Sequence, residues 1–178
     1  MTRVPVPSTR TLQWLIVGLL VAGFVSFVVK GADQPADPFL RVASRQPVEG
    51  YGEIAYRVNR TAQATRCAIL AQSAMQQSRG LYGRSDLAGY DGLMFFFPAD
   101  VTAGVPTRNT GLALSTAFFD SGGRFLTAVD SEPCDDRADC PAPAPPGPYR
   151  YALQVARGAL PSLGIEEGAV LSVGGPCP

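Results

Sequence analysis

Arg84, Arg108, Asn109 and Thr110 are polar residues set inside or beside apolar runs. A planar guanidinium with amide and hydroxyl neighbours can clamp a carboxylate or a phosphate. The same arginines can instead pin loops by pairing with Asp86, Asp91 or Asp100. A second group, Asp130, Glu132, Asp135, Asp136 and Asp139, forms an acidic run. Calcium takes oxygen-rich loops of that kind, but the spacing and central glycine of an EF-hand are missing and Pro133 interrupts. The expectation is a solvated loop and no metal. Glu53, Asp91, Glu166 and Glu167 are further carboxylates. Paired carboxylates can cleave glycosides without histidine, but nothing in these positions brings two to a working separation.

Four cysteines complete the reactive set: Cys67, Cys134, Cys140 and Cys177. No C-x-x-C pair is present, which argues against a zinc site. An even count in an oxidising compartment reads as two disulfides, with three pairings open. Cys134 and Cys140 lie in the stretch EPCDDRADCPAP, a natural small loop, which leaves Cys67 to meet Cys177.

The chain has 178 residues and no histidine, and its single lysine is Lys30. Histidine is the usual general base at neutral pH and the commonest metal ligand. Ser-His-Asp, Cys-His and Ser-Lys catalysis are therefore closed to everything after Lys30. No cofactor is expected. From Gly31 onward 12 arginines face 15 carboxylates, a net of −3. A mildly acidic domain gains nothing by neutralising phosphates, so no nucleic acid is expected as a partner.

These residues follow an apolar segment. Leu12 to Val29 carries no charge, and with Lys30 it sets a predicted transmembrane helix over 12–30. Eighteen residues at a rise of about 1.5 Å span roughly 27 Å, enough for a thin bilayer core. Arg3 and Arg10 precede the run, and Asp33 and Asp37 follow it. The positive-inside rule places residues 1–11 in the cytoplasm and the rest outside the cell membrane, on the periplasmic or cell-surface side. A cleaved signal peptide is the alternative, but the run is long for one and no clean A-x-A site follows. Gly18, Ala22 and Ser26 make a small-residue stripe that lets helices approach closely, although small residues are common in any anchor.

Residues 31–50, with three prolines, read as a linker to a domain over 51–178. Alternating or apolar runs predict strands at 53–58, 66–72, 93–97 (stopped by Pro98), 113–119, 124–132, 149–155 and 169–173. Ser73 reads as the N-cap of a two-turn helix ending at Gly80, and 159–164 as one helical turn. The stretch Asp120–Gly123 reads as a hairpin turn. Phe95, Phe96, Phe97, Phe118 and Phe119 sit in strand runs and read as core. The predicted class is α+β: a mostly antiparallel, compact β-rich domain that can close into a small barrel, with one or two short helices.

Five blocks in order resemble a bacterial and archaeal family known as domain of unknown function 192. They are Gly80-Leu81 with Arg84; Gly92-Leu93-Met94-Phe95; and Arg108-Asn109-Thr110. Leu114 with Phe119-Asp120 and Gly123 follows, and then Tyr151, Leu153, Gly158, Gly164 and Gly168. The resemblance covers about 50–174. The chain departs from the pattern at Pro106-Thr107 (Trp-Met in the family), at Ala113 (Pro) and at Gln154 (Glu). The resemblance implies a compact β-rich fold, often exported, with no established activity.

The function expected is a non-enzymatic extracytoplasmic binding or interaction module on a single-pass anchor. Its partner would be a membrane complex, an envelope or secretion assembly, or a small anionic ligand. The alternative is an envelope-glycan hydrolase using paired carboxylates. A third reading gives the main contact to the anchor helix through Gly18 and Ala22.

Overall fold

β-branched and aromatic side chains favour a pleated surface, and they build seven strands here. These are β1 (Gly52–Val58), β2 (Arg66–Ala71), β3 (Gly92–Val101), β4 (Leu114–Phe119), β5 (Phe125–Ser131), β6 (Tyr149–Ala156) and β7 (Leu171–Val173). The computed structural model describes residues 44–58 and 65–178. The predicted segments 1–11 and 12–30, the Gly18–Ala22–Ser26 stripe and most of the linker lie outside the described residues. Among the described residues no helix is long and apolar enough to cross a membrane.

One six-residue helix, α1 (Ala74–Arg79), sits between β2 and β3. Ser73 caps it, accepting from the Gln76 N–H at 3.3 Å while the Gln76 side chain accepts from the Ser73 N–H at 2.9 Å. This reciprocal capping box ties two backbone donors that the helix leaves open. A 3-10 turn, Pro161–Leu163, stands where the second helical turn is predicted.

The strand order is β5-β4-β6-β3-β2-β1-β7. Every pair is antiparallel except β2–β3, which run parallel because α1 lies in the crossover between them. The fold is mostly β, a seven-stranded sheet curled into a half-barrel. Its two edges approach at one end, where Arg124 bridges Val170. Gly123 makes that approach possible: its φ is +78, and a Cβ there would fall on the Leu171 carbonyl oxygen. The same glycine closes the predicted hairpin, in which Asp120 Oδ1 accepts from the Gly122 and Arg124 N–H groups.

The structure corrects one expected boundary. Pro98 does not stop β3, which runs on to Val101. The register against β6 shifts between Phe96 and Val101, and β2 pairs only as far as Phe95. Proline is tolerated in strands at such bulges because no ladder partner waits for its missing N–H.

Both sheet faces are covered. On the inner face Tyr56, Met94, Phe119, Leu153 and Val155 pack together under Leu160, Leu163 and Ile165. That cluster also takes in Phe125 and Val173 from the two edge strands, which only the inside of a curl permits. On the outer face Ile69, Leu93, Phe95, Leu114, Phe118 and Tyr149 pack under loop residues Leu81, Tyr90 and Val105. Each large apolar side chain so buried contributes about 1.5–3 kcal/mol. Tyr149 also donates its hydroxyl to the Ala103 carbonyl at 2.5 Å, and burial pushes its phenol up to about 12.

Both disulfides form, Cys67–Cys177 and Cys134–Cys140, with Cα separations of 5.4 and 5.9 Å. The first joins β2 to the segment after β7. The second closes a small surface loop.

Candidate functional site

The outer face is roofed by three loops between strands, and the predicted site residues lie in two of them. Backbone hydrogen bonds stitch the loops together. Gly83 donates to the Asn109 carbonyl at 2.7 Å and Gly111 to the Arg84 carbonyl at 2.9 Å. Thr110 and Cys134 exchange a pair of bonds at 3.0 and 3.2 Å, and Asn109 donates to the Asp135 carbonyl at 3.3 Å. Asn109 holds a φ of +50, a left-handed conformation that asparagine adopts more readily than most residues. Arg84, Arg108, Asn109 and Thr110 are therefore neighbours along the backbone.

Their side chains go to separate places. Arg84 donates from Nη2 to Asp86 Oδ1 at 2.8 Å and from Nε to the Asp86 carbonyl at 3.1 Å. That pair borders a polar cleft of about 330 Å³ with Ser44, Gln46, Leu87, Ala88 and Gly89. The Ala88 backbone N–H, and then Arg84, hold the Asp86 carboxyl below its ordinary range. Arg108 donates to Asp136 Oδ1 at 2.5 Å, and Tyr82 donates its hydroxyl to Asp136 Oδ2 at 2.9 Å. Those two bonds, Tyr82's first, lower the Asp136 carboxyl as well. Thr110 is buried and turns its hydroxyl to the Arg108 carbonyl at 3.4 Å.

The acidic run is distributed among several partners, and Asp130 and Glu132 share Arg157. Asp130 accepts from the Ser115 hydroxyl at 2.6 Å, Glu132 pairs with Arg157 at 2.6 Å, and Asp139 lies 3.8 Å from Arg137. Asp91 pairs with Arg66 at 3.2 Å and Asp100 with Arg150 at 2.9 Å. Glu53 accepts from the Tyr90 hydroxyl at 2.9 Å. Its carboxylate lies close to the Cys67 and Cys177 sulfurs. Those sulfurs are bonded to each other, and metals are held by thiolates.

Sequence reasoning misses the surface around α1. None of this helix's residues is buried, and Met75 is 76% exposed. One apolar cleft, about 310 Å³, is lined by Gln72, Ser73, Phe96 and Pro98. A second, about 290 Å³, lies among Gln77, Ser78, Phe95, Phe97, Ala103, Gly104, Val105, Pro106 and Ala142. Phe95 is fully buried as expected, but Phe96 and Phe97 are only half-buried. Phe96 stacks on Tyr151 with ring centres 5.4 Å apart, and Phe97 meets Tyr149 edge-on at 5.4 Å. Gln77 fastens α1 to the strand beneath, donating to the Phe96 carbonyl at 2.8 Å. The alternation of Phe96 and Phe97 along β3 sends them to opposite faces of the sheet, Phe96 towards Tyr151 and Phe97 towards Tyr149, and a run of five apolar residues hides that signal.

Two of the departures from the resembled pattern, Pro106 and Gln154, meet beside the second cleft. Pro106 lines it, and the fully buried Gln154 donates to the Pro106 carbonyl at 3.3 Å from below. Thr107 is buried and gives its hydroxyl to the Pro141 carbonyl at 2.5 Å. Gln154 stands opposite Thr116 across β6 and β4, and both are fully buried.

Comparisons with known proteins agree with this architecture. The family model DUF192, described as "Uncharacterized ACR", matches residues 56–173. A candidate transcription regulator from Sinorhizobium meliloti 1021 superposes with a TM-score of 0.58 at 22% identity. The match covers 71% of this chain and 98% of that one. A protein of unknown function from Novosphingobium aromaticivorans DSM 12444 superposes with a TM-score of 0.56 at 21% identity, covering 79% of this chain and 94% of its own. At these identities the likeness concerns the fold. No curated protein matches the chain.

Proposed function

The chain belongs to the DUF192 family, whose members are uncharacterised, and on that footing we propose that it is a membrane-anchored extracytoplasmic binding and interaction module, an accessory subunit of a membrane or envelope complex. The observation that carries this reading is the apolar surface gathered around α1. Met75 stands in solvent there, and Phe96, Pro98, Phe97 and Pro106 line clefts on either side. Solvent-reachable apolar surface collected in one place is the mark of a contact site. Two disulfides suit an oxidising compartment. The uncharged run Leu12–Val29 after Arg3 and Arg10 supplies the anchor and its orientation.

On the loop face Arg84 and Arg108 serve at separate points as second contacts for an anionic group. Carboxylates of the chain itself occupy both guanidiniums, so a ligand there competes with Asp86 and Asp136.

The test is purification of the full-length chain from its own cells in mild detergent, followed by mass spectrometry. Stoichiometric recovery of a membrane or envelope protein, lost in Met75→Glu, supports the module and its α1 surface. Release by Gly18→Leu with Ala22→Leu, and not by Met75→Glu, moves the contact to the anchor helix. Recovery of the chain alone, or from the soluble fraction, overturns the proposal.

A further inference from the structure

The two disulfides sit in opposite electrostatic surroundings. Cys67 is buried, and the Glu53 carboxylate lies 3.9 Å from its sulfur. Arg45 Nε is 3.9 Å from that same carboxylate oxygen, while its Nη2 donates to the Pro178 carbonyl at 2.5 Å. A thiolate forming at Cys67 would meet a carboxylate and little water, and both disfavour it. The other disulfide has the same division of burial, Cys134 buried and Cys140 partly exposed as Cys177 is, but here Arg137 Nη2 reaches to 3.6 Å from Cys134 Sγ. A guanidinium beside a sulfur lowers the pKa of its thiol and makes it a better leaving group. Asp139 shares Arg137 at 3.8 Å, while Asp136 is turned away to Arg108.

The Cys134–Cys140 loop also works on its surroundings. Asp136, which holds Arg108 and Tyr82, lies inside the closed loop. Cys134 itself is bonded to Thr110, and Asp135 accepts from Asn109. The bridge therefore fastens the segment that keeps Arg108 occupied.

We infer that Cys134–Cys140 is a reversible redox site, opened by a dithiol reductant, and that its state governs the clasp of Asp136 on Arg108. A thiolate of the dithiol attacks Cys140 Sγ, the more exposed sulfur. The Cys134–Cys140 bond breaks, and Cys134 leaves as a thiolate beside Arg137. The second thiol of the reductant then attacks the mixed disulfide and releases Cys140. The pair gains two electrons and the two thiol protons, and the reductant ends as its own disulfide. In the open form Asp136 is no longer held by a closed loop, and Arg108 becomes available to an outside anion. None of this depends on which partner the domain takes.

The experiment equilibrates the full-length chain in mixtures of reduced and oxidised dithiothreitol, alkylates free thiols and maps them by mass spectrometry. Cys134 and Cys140 are expected to be alkylated at a reduced-to-oxidised ratio at least about tenfold lower than Cys67 and Cys177. Arg137→Ser should slow opening of the loop pair by roughly threefold or more, through the raised pKa of its leaving thiol. Amide exchange at Asn109 and Thr110 should rise on opening, and Cys134→Ser with Cys140→Ser should reproduce that rise without reductant. Opening of Cys67–Cys177 at the same or a lower ratio overturns the assignment of the site. An Arg137→Ser rate equal to that of the parent, or unchanged exchange at Thr110 in the open form, overturns the mechanism or the clasp.

Discussion

The curled sheet and the loop roof above it use the same devices, a disulfide and a set of ion pairs, in different ways. In the sheet, Cys67–Cys177 spans 110 residues and ties β2 to the end of the chain after β7. Cys67 is 2% exposed, and the strands on either side are already paired. In the roof, Cys134–Cys140 spans 6 residues of a loop that has no strand of its own. The ion pairs follow the same division. Arg66–Asp91 is about one-third exposed on both sides and backs the buried Cys67 through its N–H. Arg108–Asp136 is about half exposed on both sides and joins one loop to another. The first region holds the fold, and the second holds the shape of a surface.

The largest expected effect tests that division directly. A disulfide restricts the unfolded chain more as its loop lengthens. In the chain-entropy model the long bridge contributes nearly 5 kcal/mol (~5) and the short one about 2. Cys67→Ala with Cys177→Ala should therefore lower the unfolding free energy in urea far more than Cys134→Ala with Cys140→Ala, and should steepen its dependence on urea more, because the freed unfolded chain exposes more surface. Equal losses, or a larger loss from the loop pair, would break the comparison.

A smaller effect is expected at α1, which belongs with the roof because none of its residues is buried. Removing the capping hydroxyl with Ser73→Ala should cost about 1 kcal/mol. The loss should appear locally, as faster amide exchange at Gln76 and Gln77, because an exposed short helix can open without the sheet. A matching fall in the global unfolding midpoint would show that α1 is coupled to the sheet more tightly than its burial indicates.

The division also explains what the sequence reveals. Strands are legible where side chains alternate or cluster, as in Glu53–Val58 and Tyr149–Val155, because burial on a pleat imposes that pattern. The cap is legible because Ser73 and Gln76 are three residues apart. The disulfides are legible because the short Cys134–Cys140 loop leaves only one other pair. The continuation of β3 past Pro98 is not, since a bulge depends on what β6 does opposite it. At the candidate site, the backbone proximity of Arg84 to Asn109–Gly111 is made by tertiary hydrogen bonds. Asp86 is a local partner for Arg84 and could be named in advance. Asp136 stands 28 residues from Arg108, and Tyr82 is 54 from Asp136. No local spacing announces such partners. The half-exposed Phe96 and Phe97 are hidden in the same way, because an apolar run looks alike whether a helix covers it wholly or in part.

The smallest effect separates the regions by pH. Asp136 titrates below its ordinary value of 3.8 because it accepts from Tyr82 and then from Arg108. Asp86 does so because of the Ala88 N–H and then Arg84. A carboxylate whose pKa is depressed by folding contributes stability that is complete above the unfolded value and is lost as pH falls through the folded one. The roof should therefore keep its clasps down to about pH 4 and loosen only below that. Both carboxylates are open to solvent, which screens the gain, so the unfolding midpoint should barely respond while the loops do. Carboxyl carbon shifts followed by NMR from neutral to acid pH would show Asp136 and Asp86 each protonating below the ordinary aspartate value. In Asp136→Asn, the Tyr82 ring signals should take at neutral pH the positions they reach in acid in the parent chain. If Asp136 protonates at or above its ordinary value, the clasp on Arg108 is not a standing feature in solution, and the roof is looser than the sheet even with its disulfide closed.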